Sequence, residues 1–266
     1  MELMTVIGVI FILLVALIFS PLGLGGGVLY VPIFHYLLDW SLEESLIGSL
    51  SIVFMVALGS SISHLKEGHA DNHIANIGRL TAIPGVIVGT LLASLMLDMF
   101  GDIIIKILAT VILAFIIERT LRVSDQKDNF KVGNIERKNS YRFGTGFAGI
   151  ASGLLGIGGG AILVTLNRNL LGMDSRKAAG TSYLIGVTIV PIALLSHILI
   201  DGTISIIIEK VGVLYMVLIP TIALFSSIFG SRYAIKHIPK YIIARIFLFA
   251  ISLSLLRYLI DIVGNI

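Results

Sequence analysis

Apolar segments recur along this 266-residue chain at residues 3–20, 24–38, 45–65, 74–97 and 102–118, and again at 141–155, 159–172, 178–199, 206–231 and 241–262. Several reach the roughly 17 to 25 residues that cross a bilayer as a helix. Lipid offers the backbone no hydrogen-bond partner, so such a chain is limited to spanning helices or a closed barrel. The length of the runs selects helices. Charged residues cluster in short intervals and make up 13% of the chain, against about 25% in soluble domains. Before the first run, Leu3 to Phe19, stands only Glu2 where a secretory signal carries basic residues, and no small-residue cleavage site follows. That run is expected to be a permanent helix and not a leader. With no cysteine, the chain can build neither a disulfide framework nor a thiolate metal site.

Lys and Arg accumulate in cytoplasmic loops, whereas acidic residues carry little orientation signal. Placing the polar stretch from Arg119 to Arg142 inside brings Lys66 and Arg79, then Arg168, Arg176 and Lys177, then Arg232, Lys236, Lys240 and Arg245 inside as well. Of the 19 Lys and Arg, only Lys106, Lys210 and Arg257 remain outside, where the outer loops carry Asp39, Glu43, Glu44, Asp98, Asp102 and Asp201. The expectation is a multi-pass protein of the cell membrane with a cytoplasmic linker at 123–140 and both termini outside. Its net charge of +3 follows from that topology. Lacking aromatic interleaving and any binding motif, the basic excess does not point to nucleic acid.

Two stretches interrupt the apolar pattern in the same way, PLGLGGGVLYV at 21–31 and LLGIGGGAILV at 154–164. Laying residue 23 on residue 156 aligns Gly23, Gly25, Gly26 and Gly27 with Gly156, Gly158, Gly159 and Gly160, then Val31 with Val164 and Leu38 with Leu171. A one-residue slip pairs Gly48 with Gly180 and Ser49 with Thr181. The register then returns to pair Ser63 and His64 with Ser196 and His197, and small further slips match Gly68 with Gly202 and Pro84 with Pro220. The chain reads as two homologous halves, 1–122 and 141–266, joined by the linker. Each half holds an odd number of crossings, so the second should lie upside down, as the basic residues also indicate. The expected fold is an all-α integral membrane protein of two inverted-topology repeats. Each repeat is a glycine-interrupted short helix pair followed by about three spanning helices. The short pair is either a tight hairpin or one re-entrant unit. Inverted repeats with interrupted segments at matching places point to a secondary transporter with its site near the midplane.

Glycine within a helix costs about 1 kcal/mol relative to alanine, so three in succession should break or cap it. The backbone groups so freed are tolerated only inside protein or against a watery cavity, which places both runs in the interior. Two uses remain open. Bare amides ahead of a helix N-terminus suit a small anion, and small residues also let helices pack closely. Ser49, Ser51, Ser60, Ser61, Thr181, Ser182 and Thr188 offer hydroxyls that can donate to an oxyanion or bond their own helix carbonyls. His64 and His197 can donate to an anion or carry a coupling proton, or serve as interfacial histidines bonded to backbone. Arg168, next to Asn167, either draws anions into the cytoplasmic vestibule or marks the inner boundary. Lys106, Arg245 and Arg257 are expected to snorkel to the interfaces.

GLGGGVLYVP at 23–32, GxxxGxxGIGGG at 149–160 and RKAAGTS at 176–182 resemble the TauE/SafE sulfite exporter family, over approximately residues 20–97 and 144–240. The resemblance implies an exporter of sulfite, sulfonates or other sulfur-containing or organic anions. It implies a substrate path at Gly25, Gly26, Gly27, Gly158, Gly159 and Gly160, with the turn Gly180, Thr181 and Ser182 answered by Gly48, Ser49 and Ser51. Thr165 departs from the pattern, standing where the family has the proline seen here at Pro32.

The alternative is a proton-coupled cation or metal permease using His64 and His197. Against it, no Asp or Glu lies near a segment centre to partner a bare cation. An intramembrane hydrolase would need a nucleophile with a base, or a metal motif such as HExxH, and the sequence has neither. There is no nucleotide-binding motif and no cofactor is expected, so ion gradients or the membrane potential must drive transport. Each negative charge leaving through an interior-negative 100 mV gains about 2.3 kcal/mol. The expected partners are a small anion, the bilayer and optionally a coupling proton.

Overall fold

The computed structural model describes residues 2–124, 138–237 and 240–264. Most of the expected linker at 123–140, with Lys127, Lys131 and Arg137, lies outside the described residues. Among those described, all regular structure is helical. In chain order it runs α1 (Glu2–Phe19), α2 (Gly27–Pro32), α3 (Leu42–Lys66), α4 (Asn72–Phe100), α5 (Asp102–Ser124), α6 (Lys138–Leu155), α7 (Gly160–Asn169), α8 (Ser175–Asp201), α9 (Ile204–His237) and α10 (Lys240–Gly264). Among the described residues, six stretches are long and apolar enough to cross a membrane: Leu3–Leu22, Leu42–Lys66, Asn72–Phe100, Ser175–Asp201, Ile204–Tyr233 and Tyr241–Gly264.

Local chemistry sets the boundaries. Ser41 and Glu44 form a reciprocal capping box at the start of α3, and Asp71 and Asp174 accept amide hydrogens at the starts of α4 and α8. These caps satisfy amides that a helix start leaves without intrahelical partners. Within α9, Gly212 adopts φ 75° and ψ 151°, so the helix breaks there. The segment read at 206–231 does not reveal this break, since a lone glycine adds only about 1 kcal/mol.

The short segments fold back. Gly27–Leu37 is about 16 Å long at 1.5 Å per residue, roughly half the hydrocarbon thickness. It returns Leu38 to the side of Gly8 on α1, and α7 returns Leu166 to the side of Gly144 on α6. Each pair is therefore a hairpin whose turn is the glycine run.

At the centre, α3 and α8 run antiparallel: a Cβ on Gly180 would sit 2.9 Å from His64 Cβ, and one on Gly186 3.6 Å from Ala57 Cβ. Around them α4 packs on α6 and α9 on α1, α3 on α9 and α8 on α4, and α5 on α10. With α1–α5 laid on α6–α10, the first two pairings exchange, as do the next two. The α4–α6 seam is built from backbone. A Cβ on Gly85, Gly89, Gly149 or Gly153 would strike the carbonyl of Gly146, Ile150, Ala82 or Val86 respectively. Such close approach supplies the van der Waals contact that holds helices together in lipid, so Gly149 and Gly153 serve packing.

Lys106 does not snorkel. Its ammonium is buried, 2.7 Å from Asp261 and 3.6 Å from Asp102. Asp261 also accepts from the Tyr36 hydroxyl at 3.0 Å, and Arg257 lies 4.4 Å from the Tyr36 ring centre. An unpaired lysine in the membrane is costly, and pairing removes that cost. The pairing was hidden in the sequence because Asp261 stands at the far end of the chain.

Candidate functional site

Six glycines shape the two turns. Gly23, Gly25 and Gly26 have φ of 77°, 66° and 72°, and Gly156, Gly158 and Gly159 have 63°, 72° and 66°. Side-chain-bearing residues rarely adopt this region, so both runs need glycine for backbone conformation as well as for space. After each turn a helix begins: the Gly26 carbonyl accepts from the amides of Leu29 and Tyr30 at 2.9 and 3.2 Å, and the Gly159 carbonyl from that of Leu163 at 3.0 Å.

The turns touch each other. A Cβ on Gly27 would strike the Ile157 carbonyl, and one on Gly160 would sit 2.7 Å from the Gly23 carbonyl oxygen and 3.1 Å from that of Leu24. Leu24 and Ile157 are the residues enclosed by glycines in each run, so the contact is reciprocal. Serines close it. Ser49 donates to the Gly156 carbonyl at 2.7 Å, and Ser182 donates to the Gly23 carbonyl at 3.0 Å and to Ala179 at 2.8 Å. Ser49 therefore corresponds to Ser182, and the expected slip onto Thr181 does not occur: the register set by the glycines runs on unbroken into α3 and α8. Thr181 instead accepts the Asp71 amide at 3.1 Å. Gly180 lies against the His69 carbonyl, with no room for a Cβ.

Other hydroxyls bond their own helices: Ser51 to Gly48 at 2.7 Å, Ser61 to Leu58 at 2.8 Å and Thr188 to Leu184 at 3.5 Å. Buried Asn167 receives the Tyr141 hydroxyl at 2.8 Å and donates to Ala178 at 3.0 Å, tying α6, α7 and α8 together. Asp71 pairs with Lys177 at 3.2 Å and accepts the Ile74 amide at 3.1 Å. Burial works to raise its pKa, but the amides of Ile74 and His73 and the Lys177 ammonium outweigh that and hold it below the ordinary 3.8.

The two histidines do different things. His197 places Nε2 2.7 Å from the Gly153 carbonyl and Nδ1 2.7 Å from Asp201 Oδ2, with side-chain exposures of 0% and 4% for the pair. A carbonyl only accepts, so Nε2 carries hydrogen and one further proton lies between Nδ1 and Oδ2. Asp201, expected in an outer loop, is the last residue of α8. His64 is equally buried, yet neither ring nitrogen makes a well-formed hydrogen bond, the Ser20 carbonyl lying beside the ring; four residues beyond it stands Gly68 in place of an aspartate. Because α3 and α8 are antiparallel, the two histidines sit toward opposite ends of the pair. Among the described residues, no three His, Asp or Glu gather closely enough to hold a metal ion.

Three residues not singled out as a group from the sequence border the first turn: Tyr30, Ser60 and Tyr183. The Tyr183 hydroxyl accepts the Gly25 amide at 3.3 Å, while the buried hydroxyls of Tyr30 and Ser60 make no well-formed hydrogen bond. The visible signal was an aromatic residue three positions after the glycine run.

The sequence model of the family described as Sulfite exporter TauE/SafE matches residues 8–258. A curated relative from Haemophilus influenzae, described as "Probable membrane transporter protein", is 32% identical over 180 residues. The match covers 64% of this chain and 65% of that protein, so just under two-thirds of the relative's length is represented. No solved structure matches.

Proposed function

We propose that this chain, which belongs to the sulfite exporter TauE/SafE family, exports a small anion by alternating access of two inverted repeats around the paired glycine turns. Membership makes it a multi-pass membrane transporter and not an enzyme. The observation that carries the anion reading is the reciprocal contact of the turns, Gly27 on Ile157 and Gly160 on Gly23 and Leu24. Ser49 and Ser182 satisfy the Gly156 and Gly23 carbonyls of the breaks, and the start of a helix follows each run. With those carbonyls occupied, the amide hydrogens and helix N-termini of the breaks favour negative charge.

Inversion of the halves 1–122 and 141–266 is supported by the antiparallel course of their equivalent helices α3 and α8 and by the exchanged pairings around them. On this reading the linker is cytoplasmic, both termini are outside, and rocking of one repeat against the other exposes the turns alternately to the two sides. Gly25, Gly26, Gly27, Gly158, Gly159 and Gly160 line the path. Ser49 and Ser182 hold its walls, with Ser51 and Thr181 bracing the helices behind them. His64 faces the substrate, and the His197–Asp201 pair provides a place for one coupling proton. A histidine-based cation permease receives no comparable support, since His64 and His197 lie apart.

Thermal unfolding of the purified protein across a panel of sulfite, thiosulfate, alkanesulfonates, carboxylates and divalent cations tests this reading, because a ligand that binds only the folded state raises its stability. Stabilisation by at least one anion is expected. Stabilisation by divalent cations alone would overturn it.

A further inference from the structure

We propose that Tyr30, Ser60, His64 and Tyr183 form an anion-recognition site on one side only of the paired turns, built from uncharged donors and suited to a small, singly charged oxyanion. This deepens, and rests on, the anion-export reading.

The four residues gather around the first turn. A Cβ on Gly26 would sit 3.0 Å from the Tyr30 hydroxyl oxygen, and one on Gly25 3.9 Å from the Tyr183 ring. The Tyr183 ring centre is 5.8 Å from that of His64, and Ser60 borders the Tyr183 hydroxyl. All four are buried. The Tyr30 hydroxyl lacks a partner, and the Ser60 hydroxyl and His64 ring make no well-formed hydrogen bond, although the Tyr183 hydroxyl lies alongside Ser60 and the Ser20 carbonyl alongside His64. The Gly25 amide occupies a lone pair of the Tyr183 oxygen, which leaves its O–H free to donate. Each buried polar group left unpaired costs roughly 1 to 3 kcal/mol. A chain that concentrates such groups at one place therefore satisfies them with something else.

The repeat serves as an internal control. In the register fixed by Ser49 and Ser182, the positions equivalent to Tyr30, Ser60 and Tyr183 are Leu163, Ala193 and Leu50. The residue equivalent to His64 is His197, already bonded to Asp201 and Gly153. The second half forms the same glycine turn without counterparts of these three hydroxyls, having beside Gly159 only the unpartnered hydroxyl of Ser152, so the turn does not require the cluster. The glycine turns that both halves share form the path, and the cluster that the first half adds is available to recognise what passes.

The chemistry narrows that ligand. Two phenols, an alcohol and an imidazole can each donate a hydrogen bond, and none of them is acidic, so together they solvate oxygens bearing negative charge and offer little to a bare cation. None carries a fixed positive charge. Neutral donors approaching from several directions fit a pyramidal or tetrahedral oxyanion of single charge, such as hydrogensulfite or an alkanesulfonate.

Proteoliposome efflux of radiolabelled sulfite and of an alkanesulfonate tests the site, with Tyr30→Phe and Ser60→Ala as the decisive variants because neither hydroxyl makes a well-formed hydrogen bond within the fold. Expected is a KM raised about tenfold or more for at least one of these anions in each variant, with unfolding temperature unchanged or higher. An unchanged KM in both variants, with wild-type protein still exporting, would overturn the site and leave the export reading standing. A raised KM accompanied by a lowered unfolding temperature would also overturn it, since the hydroxyls would then be holding the fold. Wild-type vesicles that export neither anion would overturn the export reading itself.

Discussion

The Ser49 hydroxyl donates to the Gly156 carbonyl at 2.7 Å, fastening α3 of one half to the glycine turn of the other. Ser182 returns the bond to Gly23 at 3.0 Å. Removing either hydroxyl strands a buried carbonyl, which costs roughly 1 to 3 kcal/mol. Ser49→Ala should lower the unfolding temperature in detergent accordingly. Ser51→Ala, whose hydroxyl bonds only within its own helix, should stay within about 0.5 kcal/mol of wild type. Equal effects of the two substitutions would contradict the cross-half role of Ser49.

The α4–α6 seam is expected to be intolerant of a single methyl. Gly89→Ala places a Cβ against the Ile150 carbonyl, and overpacking of this kind typically costs about 1 to 3 kcal/mol. Gly264→Ala, with nothing within 4 Å of the new carbon, should be silent. Thermal melts of the two variants side by side provide the comparison.

Lys106 and Asp261 should behave as a buried pair. Breaking such a pair by removing one partner costs about 3 to 5 kcal/mol, whereas replacing both is far milder. Lys106→Met is therefore expected to destabilise strongly, and Lys106→Met combined with Asp261→Asn to recover much of the loss. A double-mutant cycle on chemical unfolding measures the coupling; additive effects would show that the 2.7 Å contact contributes nothing.

Asp71 makes a pH-dependent contribution. Its carboxyl is held below the ordinary 3.8 in the folded protein, so its stabilisation is fully present above that value and disappears as pH falls through the lowered one. The gap in unfolding temperature between wild type and Asp71→Asn should be open at pH 7 and narrow as the medium is taken below pH 3.8. A gap that widens on acidification would have the sign wrong.

The helices and the hairpins were legible in the sequence because lipid leaves a chain few choices: runs of apolar residues locate the helices, and glycines at equal places locate the turns. The correspondence of the histidines was legible too, but their chemistry was not. His197 takes its character from Asp201 one turn away and from Gly153 on another helix, and His64 from the glycine that stands where Asp201 would be. Lys106 read as an interfacial lysine because its partner Asp261 is distant in sequence and near in space. The slip that paired Ser49 with Thr181 came from matching Gly48 to Gly180 by residue type. Hydrogen bonding follows helical geometry instead and pairs Ser49 with Ser182. Tyr30, Ser60 and Tyr183 were missed as a group because a repeat draws the eye to what its halves share, and these residues lie where the halves differ.

Anion movement through the paired turns is tested most directly by radiolabelled sulfite efflux from proteoliposomes held at a set potential with potassium and valinomycin, beside vesicles loaded with a labelled divalent cation. Expected is sulfite efflux well above that of empty vesicles and faster when the interior is negative, with no cation flux. Divalent cation efflux without any sulfite efflux would contradict it.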